Sequence, residues 1–215
     1  MRIRKEELVI TIDSEPYSGA EEIAGALSKL LNIPCYDQEI LHEASRLSGI
    51  SVSLFRRYEG RTVHAAYDFL AEDESGIALP RSGNFVAAQA AACQELAKAG
   101  PCILLNHHGD LALADAPGQV GIFIGAGFDR RVLRCAGEKK LHLIQAVRLM
   151  KKEDRQSRRY YRAYAKHWGR AENYDLTVDA AAADAQSVAH AIANYLETLT
   201  REALIHPTQA LKHGA

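Results

Sequence analysis

Three short stretches of this chain carry residue types that could handle phosphate or protons. The first, Asp13-Ser-Glu-Pro-Tyr-Ser-Gly-Ala-Glu-Glu22, links a β-branched apolar run to a helix-spaced one. The hydroxyls of Ser14 and Ser18 and the freedom of Gly19 suit a turn whose backbone N–H groups converge on an anion at a helix amino terminus. The same residues also fit a capping box, with Ser18 as N-cap and Glu21 folding back on its N–H. The capping box is the preferred expectation. It is worth roughly 0.5–2 kcal/mol and occupies donors that a phosphate would use. Glu15 and Glu21 add carboxylates, and one of these ~5 Å from a phosphate would cost roughly 3 kcal/mol at an effective dielectric near 20. A Walker A run with Lys-Ser/Thr is absent.

The second stretch, Asn106-His-His-Gly-Asp110, follows an apolar run. His107, His108 and Asp110 raise the idea of a metal site, but neighbours at a strand end point to opposite sides, so no metal is assigned. Asp110 either holds a nucleotide or a magnesium-bound water, or caps the next turn. The third stretch, Asp154-Arg-Gln-Ser-Arg-Arg-Tyr-Tyr161, lies in a basic segment. Between Glu138 and Glu172 there are eleven Lys or Arg against four Asp or Glu, in a chain whose net charge is -1. That concentration fits a local anionic ligand or a solvated helix face.

The elements that must position these residues alternate in type. Strands are expected at Leu8–Ile12, Cys35–Tyr36, Pro101–Leu105, Val120–Ile124 and Asp175–Asp179. Helices are expected between them: one with Ile23, Leu27 and Leu31 in register, one capped by Asp37, one capped by Asn84, long patterns from Asp129 to His167, and a last one from about Ala185 to Ala203. Short helices with loops are expected from Ser51 to about Ser82. The order predicts a three-layer α/β/α fold with a five-stranded parallel sheet, in which ligands bind beyond the carboxyl ends of the strands.

Composition sets the class. With 47% apolar and 25% charged residues the chain is globular. The four cysteines, Cys35, Cys93, Cys102 and Cys135, lack a zinc or disulfide spacing. The apolar run after the charged amino terminus is too short for a signal or a membrane span. A cytoplasmic location follows, with no membrane and no nucleic-acid partner expected and a homodimer left open.

These runs resemble the cytidylate kinase-like family in order along the chain. Ile10–Ala24 is similar to "ITISREYGSGGREIA", Ile33–Ile40 to "IPFYDRELI", and Ser48-Gly-Ile-Ser to "SGLS". Gly100–Asp110 is similar to "GPCVIVGRGAD", Asp154–Tyr161 to "DKRRASYY", and Asn173–Asp179, after Trp168-Gly169, to "WG…NYDLCID". The resemblance implies a P-loop nucleoside-monophosphate-kinase fold over residues 1–204, with a helical lid at about 138–170 and a flexible tail at 205–215. It implies phosphoryl transfer from ATP with Mg²⁺ to a pyrimidine nucleoside monophosphate.

By that resemblance Ser14, Ser18 and Gly19 would bind the cofactor. Asp37, His107 and Asp154 would bind the substrate, and Asp110, Arg155 and Arg158 would be catalytic. Several positive or glycine positions of the family have changed: Ala20 and Glu21 in the loop, Gln38, His107, and Ser157 in the lid. These losses support the alternative of an inactive kinase homologue that senses a nucleotide or other small anionic ligand, or serves as an interaction module.

Overall fold

A computed structural model describes residues 3–58, 82–114, 116–164, 168–181 and 183–200. The expected short helices and loops beyond Tyr58, and the tail from Ile205, lie outside the described residues. Strands β1 (Val9–Ser14), β2 (Cys35–Tyr36), β3 (Cys102–Leu105), β4 (Gln119–Gly125) and β5 (Leu176–Asp179) form one sheet in the order β2-β3-β1-β4-β5. Each neighbouring pair is parallel. Parallel neighbours need crossovers, and the helices supply them: α1 (Ala20–Leu31), α2 (Gln38–Ser48), α3 (Val52–Tyr58), α4 (Ser82–Ala97), α5 (Gly109–Ala112), α6 (Phe128–Lys139), α7 (Leu143–Tyr164) and α8 (Ala185–Leu199).

Strand periodicity assigns the two faces of the sheet. On β1, Ile10 and Ile12 pack with Ile103, Leu105, Ile122 and Ile124 beneath α1 and α8. Val9 and Leu104 face the other way, against Ile40, Leu41 and Ala44 of α2, Phe55 of α3 and Ala92 of α4. Helices thus cover both faces, the expected three layers. A third cluster joins α6 to α7 through Val132, Cys135, Ala146 and Met150. No described helix is long and apolar enough to cross a membrane.

Helix ends follow local chemistry. α1 closes on Asn32 in the left-handed conformation, whose N–H reaches the Ser28 carbonyl, just ahead of Pro34. α8 opens on Asp184, whose carboxylate accepts from the N–H groups of Gln186 and Ser187, both at 3.0 Å. Two expected caps differ. α4 begins at Ser82, so Asn84 lies inside it. Asp37 does occupy the N-cap position of α2, but its side chain caps nothing.

Leu27 has no exposed surface, whereas Leu133 on α6 is 59% exposed. Leu27→Ala is therefore expected to cost about 2–5 kcal/mol in urea denaturation, and Leu133→Ala less than about 0.5 kcal/mol.

Candidate functional site

The order of the sheet puts β1 between β3 and β4, where crossovers leave to opposite sides, and a crevice opens at the carboxyl ends of the strands. A cavity of about 500 Å³ lies there. The turn after β1 supplies Ser14, Ser18 and Gly19, α4 supplies Gln89, the turn after β3 supplies His107, and α7 supplies Tyr160.

The turn after β1 is not a capping box. β1 runs on through Ser14, whose Oγ donates to Asn106 Oδ1 at 3.0 Å. The Ser18 N–H then closes on the Glu15 carbonyl at 3.1 Å, and Gly19 takes φ +92° as the N-cap of α1 with no side-chain cap bond. Ser18 Oγ is buried and meets no hydrogen-bond partner among the described residues. The cap moved because Gly19, not Ser18, tolerates the left-handed conformation that the turn demands. The first-turn N–H groups of α1, which no intrahelical carbonyl can reach, are left to the cavity together with the positive end of the helix dipole.

Gly19 also makes room for a cation. The Arg134 guanidinium of α6 lies 2.8 Å from where a Cβ on Gly19 would stand. Its Nη1 is 2.8 Å from Glu22 Oε1 and 3.9 Å from Glu138 Oε1. A positive group therefore lies across the loop although the loop itself contains none.

The acidic residues of the turn separate in space. Glu15 turns away: its Oε2 accepts from the Ala126 N–H at 3.0 Å and lies 3.3 Å from Arg131 Nε. Glu22 faces Arg134. Glu15 and Glu22 still line the cavity beside their partners, and so does Glu21. Partial burial raises its pKa, and Asp37, Glu138 and Glu22 push the same way against Arg134. Glu21 is nevertheless solvent-exposed. In a water-like dielectric a charge pair at ~5 Å costs under about 1 kcal/mol, well below the penalty expected for a dry loop.

Arg131, only 4% exposed, binds Asp154 with two parallel bonds of 2.6 and 3.1 Å and donates to the Ala126 carbonyl at 3.0 Å and the Pro16 carbonyl at 3.4 Å. Asp154 is thereby committed to Arg131. Arg158, with its side chain 69% exposed, stands 4.0 Å from Asp154 on the outer side of α7, and Arg155 is exposed as well. The face of α7 toward the cavity is Ser157, Tyr160 and Tyr161. The geometry thus gathers Ser14, Ser18, Gly19 and His107, brings Asp37 to them through His107, and leaves Asp154, Arg155 and Arg158 apart.

Behind the cavity lies a buried acid pair. Asn106, His107 and His108 take successive left-handed conformations, φ +60°, +53° and +62°, which sends the two imidazoles apart. His107 Nε2 lies 2.9 Å from Asp37 Oδ1, and His108 Nε2 lies 2.7 Å from the Tyr160 hydroxyl. Burial lowers the His108 pKa to about 4, with His107 adding to the shift. Asp13 receives a 2.8 Å hydrogen bond from the Tyr174 hydroxyl, and the Asp110 carboxyl lies near it. Burial raises the pKa of both carboxyls, and for Asp13 the charge of Asp110 adds to it. Two neighbouring carboxyls in a dry site resist ionising together. Phe123, Tyr174, Trp168 and Tyr161 form one aromatic cluster that reaches Asp13 through the Tyr174 hydroxyl, with Tyr161 and Trp168 stacked at 4.6 Å.

Arg131, Arg134, Gln89 and the Asp13–Tyr174 bond escape a motif-based reading. Arg131 does leave a trace: Phe128, Arg131, Val132 and Cys135 form one helical stripe, with a charge where an apolar residue belongs.

A model of the cytidylate kinase-like family matches residues 9–182. Among solved structures, an uncharacterized protein from Eubacterium ventriosum ATCC 27560 is 20% identical with a TM-score of 0.63, covering 89% of this chain and 99% of that one. A gluconokinase from Sinorhizobium meliloti 1021 is 14% identical with a TM-score of 0.54 over 98% of this chain and 100% of its own. A shikimate kinase from Acinetobacter baumannii in complex with shikimate is 14% identical with a TM-score of 0.54 over 92% and 97%. At such identities the likeness is one of fold. No curated protein matches the chain.

Arg131→Leu leaves Asp154 and Glu15 without their buried counter-charge and is expected to cost about 3–5 kcal/mol in urea denaturation. The acid pair sets a pH dependence. A carboxyl whose pKa is raised by folding binds more protons folded than unfolded, so stability falls as pH rises above the usual 3.8. His108 acts oppositely, but only between about 4 and 6.5. The pair's contribution should therefore fall as pH rises from the usual carboxylate value toward the raised folded one, and Asp110→Asn should flatten that component of the slope in denaturation curves.

Proposed function

The chain belongs to the cytidylate kinase-like family, and from that premise we propose that it binds a nucleoside triphosphate on the amino terminus of α1 and transfers the terminal phosphoryl group to an acceptor in the adjoining cavity. The observation that carries this reading is the uncapped helix end with its buried, unpartnered Ser18 hydroxyl. Both are what a bound phosphate satisfies, and neither serves the fold alone. In this reading Ser14, Ser18 and Gly19 hold the phosphates and Arg134 neutralises them.

The residues fit the triphosphate. Magnesium keeps much of its water shell and takes one or two protein oxygens beside phosphate, and Ser14 and Ser18, which line the cavity, would be the residues to supply them. Phosphoryl transfer asks mainly for positioning and charge neutralisation. Asp37 holds His107 at the acceptor side, while Tyr160 and Tyr161 close the cavity against water. The Asp13–Asp110 pair fixes the turn after β3 from behind. The family's acceptor, a pyrimidine nucleoside monophosphate, is the first class to assay. Arg155 and Arg158 would act in this arrangement only through their field. The four cysteines are free thiols, in keeping with a cytoplasmic protein.

A second reading, a homologue that binds nucleotide without turnover, is favoured by Glu21 at the cavity rim. The two readings part on product. ATP–Mg²⁺ at a hundred times its Kd should stabilise the protein by about 2.7 kcal/mol, seen as a raised melting temperature. Glu21→Gln should tighten that binding severalfold. No shift with ATP–Mg²⁺ sinks both readings, and a shift without product from any monophosphate leaves the second.

A further inference from the structure

Gln89 is a charge-free polar residue in a place that gives it nothing to do for the fold. It lies on α4, is 3% exposed, and its side chain forms part of the cavity wall with His107, His108, Tyr160 and Tyr161. Its Oε1 is buried and meets no hydrogen-bond partner among the described residues. Buried carboxamide oxygens are normally paired, because water is surrendered on folding and must be replaced. Several neighbouring groups are already committed. His107 holds Asp37, His108 holds Tyr160, and Asn106 Oδ1 accepts from Ser14. The Gln89 oxygen is therefore an open acceptor, on a residue that lines the cavity.

We infer that Gln89 selects the phosphoryl acceptor, its Oε1 accepting a hydrogen bond from an N–H or O–H group on that molecule while the acceptor's flat portion rests against Tyr160 and Tyr161. This rests on the phosphoryl-transfer reading and adds to it the residue that discriminates among acceptors. A site built around a buried acceptor rejects a molecule that presents a second acceptor there, because both oxygens are then left unpaired. Discrimination of this kind does not depend on the acceptor's charge.

Cytidine 5′-monophosphate and uridine 5′-monophosphate are suitable probes, since one ring position carries an amine donor in the first and a carbonyl acceptor in the second. Both are titrated calorimetrically into the full chain with a non-hydrolysable ATP analogue and Mg²⁺ present. The wild type should bind the cytidine compound about tenfold or more tightly. Gln89→Leu should lose that preference and weaken cytidine monophosphate about tenfold, while the melting shift given by the ATP analogue stays. Gln89→Glu, which keeps an acceptor oxygen, should retain the preference. Without ligand, Gln89→Leu should melt about 2–4 °C higher, because an unpaired buried oxygen is gone. A lower melting temperature would assign Gln89 to the fold and overturn the inference. So would equal binding of the two probes by the wild type, an unchanged cytidine affinity in Gln89→Leu, or no binding of either probe by a protein that still binds the ATP analogue. Failure of the wild type to bind the analogue is a different result and overturns the phosphoryl-transfer reading itself.

Discussion

The buried guanidinium of Arg131 organises the site. It bridges three pieces of chain distant in sequence: Asp154 on α7, Glu15 and the Pro16 carbonyl in the turn after β1, and the Ala126 carbonyl after β4. A guanidinium can do this because its five N–H donors lie in one plane and serve several acceptors at fixed angles, and because it stays charged when dry. Placing it there costs desolvation, which two carboxylates and two carbonyls offset. The result is mechanical. The basic helix is fastened above the loop, and one of the loop's carboxylates is paired with a buried cation.

With that clamp in place the other features become mutually dependent. Glu15 points to Arg131, so Gly19 can turn left-handed and start α1 with its N–H groups uncapped. Because Gly19 has no side chain, Arg134 can lie across the loop. Because α7 is fastened, Tyr160 and Tyr161 come down on His108, and Tyr161 lies near the buried Asp13 and Asp110. Burial raises the pKa of both carboxyls and holds His108 neutral. The site is thus polar but dry at its back and wet at its rim, and the same charge has different consequences at the two depths.

This depth difference alters what the changed loop residues mean. Counted by letter, Ala20 and Glu21 make the loop look hostile to phosphate. Weighed by position, Glu21 is hydrated at the rim, Glu15 is neutralised elsewhere, and Arg134 arrives from another helix. Positive charge at the loop is therefore supplied across the fold rather than within the motif. The arginines that did fall in a recognisable run, Arg155 and Arg158, face outward, while Ser157 takes the inward place.

The architecture was legible in the residue order, because short apolar runs of strand length at Val9–Ile12 and Val120–Ile124 and period-3.6 runs such as Ile23–Leu31 report burial directly, and parallel strands require the helices found between them. The location of the site was legible for the same reason: a sheet of this kind opens at its strand ends, where Ser18, Gly19 and His107 lie. What the letters left open was which of two local bonds forms. Ser18 could cap α1 or leave it open, and Asp37 could cap α2 or hold His107. Local free energies of about 1 kcal/mol on either side cannot decide such choices. Tertiary structure decided them, by the left-handed turn at Gly19 and by a histidine seventy residues away. The pairing of Arg131 with Asp154, of Asp13 with Asp110, and the isolation of Gln89 belong to the same class, since a side chain's partner is set by the packing of distant elements.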